Sequence, residues 1–153
     1  MGLRDDIGQA LKEAMKEKDA ARLSTLRLIN AAIKDRDIAA RSGDGDADGV
    51  GDDEILVILG KMVKQRQESA RAYEEGGRLE LAEKERQEVL VIEAFLPRQL
   101  DEDETDAAIA AAIREIGAES IRDMGRVMAA LKARHTGQMD FSKVGPLVKD
   151  RLG

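Results

Sequence analysis

Basic side chains are concentrated at the carboxyl-terminal end of an acidic chain. Residues 120–153 carry seven lysines or arginines against three acidic residues, although the net charge of the whole chain is −6. Because lysine and arginine contact phosphate groups, this local excess of positive charge predicts a phosphate-binding surface; a solvated helix face is the alternative interpretation. The candidate phosphate contacts are Arg122, Arg126, Lys132, Arg134, His135, Lys143 and Lys149.

Aromatic residues, which would be needed to stack on unpaired bases, are scarce. They are Tyr73, Phe95 and Phe141, and each stands at a position that can serve a hydrophobic core. Base stacking is therefore not expected. The basic residues would instead contact the backbone of a structured RNA, with weak and strongly salt-dependent affinity.

Catalytic residue types are not arranged in any recognisable constellation. The absence of cysteine excludes thiolate nucleophiles, disulfides and thiolate metal sites. His135 is the one histidine, and it would need an orienting partner to act as a base. The glycines of SGDGDADGVG alternate with aspartates, whose charge would repel a phosphate group. We expect no catalytic residues and no cofactor, and we leave open whether the chain takes part in an enzyme.

The same glycine-rich segment resembles part of a calcium-binding loop. Counting from Asp44, aspartates occupy positions one, three and five, and a glycine occupies position six. The position of the closing glutamate is taken by Ile55, and Glu54 lies one residue early. The segment is therefore predicted to be a solvated linker, with weak cation binding at most, and we predict no metal site.

The elements that position these residues are predicted to be helices. Apolar residues recur at spacings of three and four, and no segment shows the alternation of a strand, so the sequence predicts an all-α protein. The predicted helices cover roughly residues 2–18, 19–41, 55–75, 82–96, 101–116, 120–134 and 140–152.

Four side chains carry specific packing expectations. Arg66 lies on the apolar stripe of the third helix, so we expect it to pair with a buried glutamate. Ile121 is expected on the core face of the sixth helix, and Gly125 is expected to admit a close neighbour. Pro146 is tolerable only near the first turn of the last helix.

A boundary is predicted where Pro97 follows Leu96. Proline lacks a backbone donor and disfavours helical dihedrals in the preceding residue, so a helix must end there. Asp101 then offers a cap to a new helix, and Glu104 completes the pattern of a capping box. The sequence thus predicts an N-terminal four-helix lobe, residues 1–96, joined to a C-terminal three-helix lobe, residues 97–153.

Composition predicts a soluble protein. The chain has 153 residues, of which 37% are charged, and no stretch approaches the apolar length that a membrane span requires. Together with the absence of cysteine and of a secretory signal, this composition predicts a cytoplasmic location and no membrane partner.

Three segments carry a resemblance to a known family. They are RLSTLRLINAAIKDRDI (22–38), KQRQESARAYEEGGRLELAEKERQEVLVIEAFLPRQL (64–100) and MGRVMAALKARHTGQMD (124–140), and together they resemble the GatB/YqeY family. The Leu-Pro-x-Gln-Leu and Met-Gly-x-Val-Met elements carry most of the likeness. The sequence departs from the family pattern at GQMDF, where many members have a Gly-Arg-Ala-Asp-Gly-like turn, and at Pro146.

The resemblance implies a function. The C-terminal lobe is similar to the tail domain of GatB, a component of the glutamyl/aspartyl-tRNA amidotransferase, and that tail is a tRNA-contacting module. Carbon–nitrogen ligase chemistry therefore enters by family association only. We expect a cytoplasmic accessory protein of translation that binds tRNA weakly, with an aminoacyl-tRNA amidotransferase or another protein as partner. The alternative is a protein–protein adaptor that does not bind RNA.

Overall fold

The computed structural model describes residues 2–41 and 49–153, and every regular element in those ranges is helical. The predicted all-α class is therefore confirmed. No helix within the described ranges is long and apolar enough to cross a membrane. The α-helices are α1 (Leu3–Glu17), α2 (Ala20–Arg41), α3 (Asp52–Glu75), α4 (Leu79–Glu93), α5 (Glu102–Ile116), α6 (Met124–Arg134) and α7 (Phe141–Leu152), with a 3₁₀ turn at Ile121–Asp123.

The chain divides into two compact lobes, an N-terminal lobe of Met1–Leu96 and a C-terminal lobe of Pro97–Gly153. Helices α1 to α4 belong to the first and α5 to α7 to the second. Each lobe has its own cluster of buried apolar side chains, so each has a separate hydrophobic core.

The core of the N-terminal lobe is built from one apolar stripe on each of its four helices. Removing a large aliphatic side chain from water contributes about 1.5–3 kcal/mol, so these stripes dominate the stability of the lobe. The largest fully buried aliphatic side chains of this core are Ile7, Leu26, Ile29, Ile33, Ile55, Leu59 and Ile92.

A partly buried ion pair connects the start of α1 to α2, and both of its members contact a residue that precedes α3. Arg4 donates from Nη1 and Nη2 to the two carboxylate oxygens of Asp37, at 2.9 and 3.0 Å, and Nη2 also donates to the carbonyl of Val50. The amide of Val50 donates in turn to Asp37, which is only 8% exposed. The Asp37 carboxylate thus accepts three hydrogen bonds, and these contacts hold α1, α2 and the residues before α3 together.

Helices α3 and α4 form an antiparallel hairpin that turns at Gly76 and Gly77. Gly77 has a φ of +77°, the left-handed conformation that glycine adopts without strain, and α3 ends just before Gly76, as the sequence predicted. Ala70, Ala82 and Val89 are buried in the hairpin but do not belong to the main core cluster. The part of the hairpin near its turn is therefore held together mainly by contacts between its own two helices.

The C-terminal lobe begins with the capping box that the sequence predicts. The Asp101 side chain accepts from the amide of Glu104 at 2.7 Å, and the Glu104 side chain accepts from the amide of Asp101 at 3.2 Å. The core of this lobe contains Ile109, Ala112, Val127, Leu131, Val144, Val148 and Leu152.

Three local expectations in this lobe are wrong. Ile121 lies in the 3₁₀ turn and is 47% exposed, because α6 begins only at Met124 and the helical stripe does not extend back to it. A Cβ atom on Gly125 would meet nothing within 4 Å, whereas Gly145 is buried and its added Cβ would make an ordinary contact, 3.9 Å, with Cε of Met124. Pro146 stands inside α7, beyond its first turn.

Candidate functional site

The single histidine of the chain is part of a helix end. Its Nδ1 lies 3.0 Å from Oε1 of Gln138, and its amide donates to the carbonyl of Leu131 at the end of α6. The side-chain amide of Gln138 thus orients the imidazole ring of His135 at the end of α6. Within the described ranges, no group of three or more His, Asp or Glu side chains is placed to hold a metal ion.

Asp44, Asp46 and Asp48 of the calcium-like segment lie outside the described residues, and its carboxyl-terminal end lies within them. Ile55, at the position of the closing ligand, is 1% exposed and belongs to the hydrophobic core. Glu54 accepts a hydrogen bond from Nε of Arg36 at 3.2 Å. Neither residue is thus arranged as a closing ligand, and weak cation binding at most stays our prediction.

The predicted phosphate contacts include two arginines that are already paired with acids. Arg126 donates to Asp123 at 2.7 Å, and Arg134 forms an ion pair with Glu115. The amide of Glu119 and the guanidinium of Arg126 both lower the pKa of the Asp123 carboxyl. The remaining lysine and arginine positions, which are exposed and have no ion pair among the described residues, are Arg122, Lys132, Lys143 and Lys149.

These basic residues do not form a single stripe. On α6, Lys132 and Arg134 are separated by about 160° around the helix axis, and on α7, Lys143 and Lys149 are separated by about 120°. The structure therefore distributes the positive charge over several directions instead of concentrating it on one face. The role of these side chains as phosphate contacts stays a prediction from the sequence.

A more unusual polar arrangement lies on one side of the α3–α4 hairpin. An open groove of about 600 Å³ runs between the two helices there. We call it the Arg66 groove. It is lined by Gln65, Arg66, Glu68, Ser69, Ala72, Glu85 and Glu88.

Arg66 and Glu88 form a largely buried ion pair across this groove. Nε of Arg66 donates to Oε2 of Glu88 at 3.2 Å, and the two side chains are 14% and 18% exposed. Nη1 of Arg66 also donates to the carbonyl of Met62. The expectation that Arg66 pairs with a buried glutamate is confirmed.

A second carboxylate, that of Glu85, lines the same groove. Burial raises the pKa of Glu85, and the neighbouring Glu88 raises it further, whereas Arg66 acts in the opposite direction. With Glu68 at the rim, the groove holds three acidic side chains and one basic one. Its electrostatic character is therefore acidic, in a setting that water screens less than an open surface.

Sequence reasoning missed Glu85 because it is one of many glutamates on α4. The signal that could have identified it is its spacing of three residues from Glu88, which places two carboxylates on the same side of a helix. What the sequence could not supply is the register of α3 against α4, which pairs Arg66 with Glu88 and places Glu85 in the same groove.

A second groove, of about 520 Å³, lies on the opposite side of the hairpin. Its floor includes the buried Ala70 and Val89, and Leu90 stands at its edge with 61% of its surface exposed. Arg86 pairs with Glu74 across the hairpin and approaches Glu83 at 4.0 Å. We call this the Arg86 groove. Its lining residues are Gln67, Ala70, Arg71, Glu74, Glu83, Arg86, Gln87, Val89, Leu90 and Glu93.

Comparison with known proteins places the whole described fold within one family. A family model described as Yqey-like protein matches residues 4–152. Curated relatives include "Altered inheritance of mitochondria protein 41, mitochondrial" of Eremothecium gossypii, which is 35% identical over 90 residues, or 59% of this chain and 46% of the relative. The protein of the same name from Clavispora lusitaniae is 38% identical over 96 residues, or 61% of this chain and 52% of the relative. The match spans about half the length of these relatives.

Two expectations are corrected by these relatives. The seven curated proteins that match carry a mitochondrial name and not that of a tRNA amidotransferase, so the predicted function as a tRNA-binding module related to amidotransferase is wrong. The predicted cytoplasmic location is contradicted by the same names. The family resemblance itself is confirmed by the match over residues 4–152.

Proposed function

This chain belongs to the YqeY-like protein family, and we propose that it is a non-catalytic binding module that docks a protein partner in the Arg66 groove. The partner feature that this groove accepts is a lysine or arginine side chain presented by a helix. The observation that carries the proposal is the position of the Glu85 carboxylate in the same groove as the largely buried ion pair between Arg66 and Glu88.

Electrostatics favour a cation in this position. Two carboxylates that approach each other away from bulk water repel, and the single positive charge of Arg66 offsets only part of that repulsion. A second cationic side chain would form a charge-assisted hydrogen bond with Glu85, which contributes about 1.5–3 kcal/mol. The binding of a basic side chain should therefore be more favourable in this groove than at a pair of fully exposed glutamates.

The shape of the groove favours a helix as the carrier of that side chain. On its α3 side, the groove presents Ser69 and Ala72, small residues that allow a second helix to approach closely. The open volume of about 600 Å³ accommodates long side chains without displacement of the hairpin. Because the relatives are named as mitochondrial proteins, we include mitochondrial proteins first among the candidate partners.

Site-specific photo-crosslinking identifies the partner. A photoreactive amino acid at Ser69, in the groove, is compared with one at Leu28, an exposed position on α2. The proposal expects a defined protein adduct from Ser69 that is absent from Leu28. The same adducts from both positions would contradict a binding site in the groove.

Binding of the purified partner is then measured by calorimetry with matched glutamine variants. Glu85→Gln should weaken binding about tenfold or more, because it removes the carboxylate that receives the cation. It should leave the fold intact, because it also relieves repulsion with Glu88. Glu80→Gln, on an exposed residue of α4 outside the groove lining, is the control and should bind as the unaltered protein does. Equal affinity of both variants would refute the proposal.

A further inference from the structure

The side of α4 that borders the Arg86 groove carries a short stripe with a symmetric pattern. Leu79, Glu83, Arg86 and Leu90 follow one another at spacings of four, three and four residues. At about 100° per residue, these side chains fall within about 60° of one another around the helix. The leucines at the two ends are unusually open to solvent, with 66% and 61% of their surfaces exposed. Covering these two side chains would remove apolar surface from water, which is favourable.

The symmetry of the stripe identifies what covers it. Read from either end, the spacing is the same, with leucine outside and one charged residue of each sign inside. We propose that a second copy of this chain docks on this stripe, with its α4 antiparallel to the first around a two-fold axis between residues 84 and 85. The contact is isologous, because the same surface serves both copies.

This arrangement matches every residue of the stripe with a suitable partner. Leu79 of one copy lies opposite Leu90 of the other, and Glu83 lies opposite Arg86. The two leucine pairs stand about 16 Å apart along the helix and flank the two ion pairs. A parallel arrangement would instead place leucine against leucine and like charges against each other, so charge complementarity selects the antiparallel one.

The neighbouring Arg86 groove can accommodate the second helix. Glu83 is 60% exposed, and its carboxylate lies 4.0 Å from the guanidinium of Arg86 of its own chain, which is a long distance for an ion pair. Glu83 can therefore turn to Arg86 of the second copy. Arg86 keeps its intramolecular partner Glu74, which lines the same groove. The proposed dimer therefore forms without breaking a close ion pair.

The Arg66 groove remains open in this dimer. Glu88 is nine residues beyond Leu79, which places it about 180° from the stripe, on the opposite side of α4. Glu85 is about 120° away. Self-association through α4 and docking of a partner in the Arg66 groove are thus independent, and either can be tested without the other.

The expected affinity is modest. A contact centred on one helix from each copy buries less than roughly 1,200 Å², the size of weak and transient complexes. Sedimentation equilibrium from about 5 to 500 µM should therefore show a concentration-dependent dimer. Leu90→Asp should leave the protein monomeric across this range. Leu28→Asp, which alters a leucine of α2 that is 45% exposed, should dimerise as the unaltered protein does.

Charge reversal provides a test that misfolding cannot imitate. Glu83→Arg alone places arginine opposite arginine, and Arg86→Glu alone places glutamate opposite glutamate, so each variant should be monomeric. Mixed in equal amounts, the two variants should form a heterodimer, because both opposed pairs then have opposite charges. Monomeric behaviour of the unaltered protein at about 500 µM, a dimer that persists in Leu90→Asp, or a mixture that stays monomeric would each overturn the proposal.

Discussion

Nε of Arg66 on α3 lies 3.2 Å from Oε2 of Glu88 on α4, and the two side chains are 14% and 18% exposed. The apolar residues buried nearby in the hairpin are small, and they lie outside the main core. The ion pair therefore contributes to the alignment of α3 with α4 about ten residues from their turn, and the Arg66 groove depends on that alignment.

The first prediction concerns the strength of this pair. Because the pair is largely buried, replacement of either partner should lower the free energy of unfolding by about 2 kcal/mol. This value lies between that for exposed pairs and the roughly 3–5 kcal/mol for fully buried ones. A double-mutant cycle with Arg66→Met and Glu88→Gln, measured by urea unfolding, should give a coupling energy of about 1 kcal/mol or more. The control is the Arg36–Glu54 pair, which is 56% and 51% exposed and should couple by less than about 0.5 kcal/mol. Equal coupling in the two cycles would contradict the prediction.

The second prediction concerns the glycine beside the Arg4–Asp37 ion pair. Gly49 has a φ of +90°, and a Cβ atom there would lie 2.7 Å from Oδ1 of Asp37 and 2.9 Å from Nη2 of Arg4. Gly49→Ala should therefore lower the free energy of unfolding by about 2 kcal/mol or more, through backbone strain and displacement of the pair. Gly51→Ala is the control, since its Cβ would meet nothing within 4 Å. It should cost less than about 1 kcal/mol, the cost of alanine at a helix cap. Comparable losses in both variants would show that the ion pair does not constrain this position.

The third prediction concerns the acid stability of the C-terminal lobe. Arg98 donates two hydrogen bonds to Glu104, at 2.8 and 2.7 Å, and together with the Asp101 amide it lowers the pKa of Glu104 to about 2. A lowered pKa in the folded state contributes stability above the ordinary pKa of glutamate, and this contribution is lost as the pH falls from about 4.5 towards 2. NMR titration of the Glu104 carboxyl should show the low pKa directly.

Thermal unfolding between about pH 5 and 2 checks the linkage. The Glu104→Gln variant should lose less stability over this interval than the unaltered protein does. Glu102→Gln removes an acid from the same turn, for which the structure describes no such hydrogen bonds, and it should retain the full pH dependence. A Glu104 carboxyl that titrates near 4.5 would refute the prediction.

The fourth prediction follows from the open surroundings of Gly125. Because an added Cβ would meet nothing within 4 Å, Gly125→Ala should raise the free energy of unfolding by about 0.5–1 kcal/mol through helix propensity. Gly117→Ala should lower it by about 1 kcal/mol or more, since Gly117 caps α5 with a φ of +72°. Chemical denaturation of the two variants measures both changes in the free energy of unfolding. A loss of stability in Gly125→Ala would restore the expectation that this glycine admits a close neighbour.

Local features of the fold were predictable where neighbours in sequence decide them. The capping box of Asp101 and Glu104 requires residues three positions apart, and the end of α3 requires only the glycines that follow it. Features that depend on contacts between elements were predicted less well. Gly125 was assigned a packing role although its surroundings are open and the buried glycine is Gly145, because which glycine is buried depends on how α6 and α7 cross.

The candidate site shows the same division. The sequence placed Arg66 on an apolar stripe, and since a buried guanidinium must be paired, it also required a carboxylate partner. It did not identify Glu88 as that partner or show that Glu85 lines the same groove, because both depend on the register of α3 against α4.

The all-α class and the family follow from the sequence alone, because helical periodicity and motifs are written along the chain. The symmetric spacing of Leu79, Glu83, Arg86 and Leu90 can be read there as well. The exposure of these leucines and the burial of Arg66, in contrast, became known only from the folded chain. A helix presents side chains in every direction around its axis, and the packing of the other helices against it settles which of them meet water.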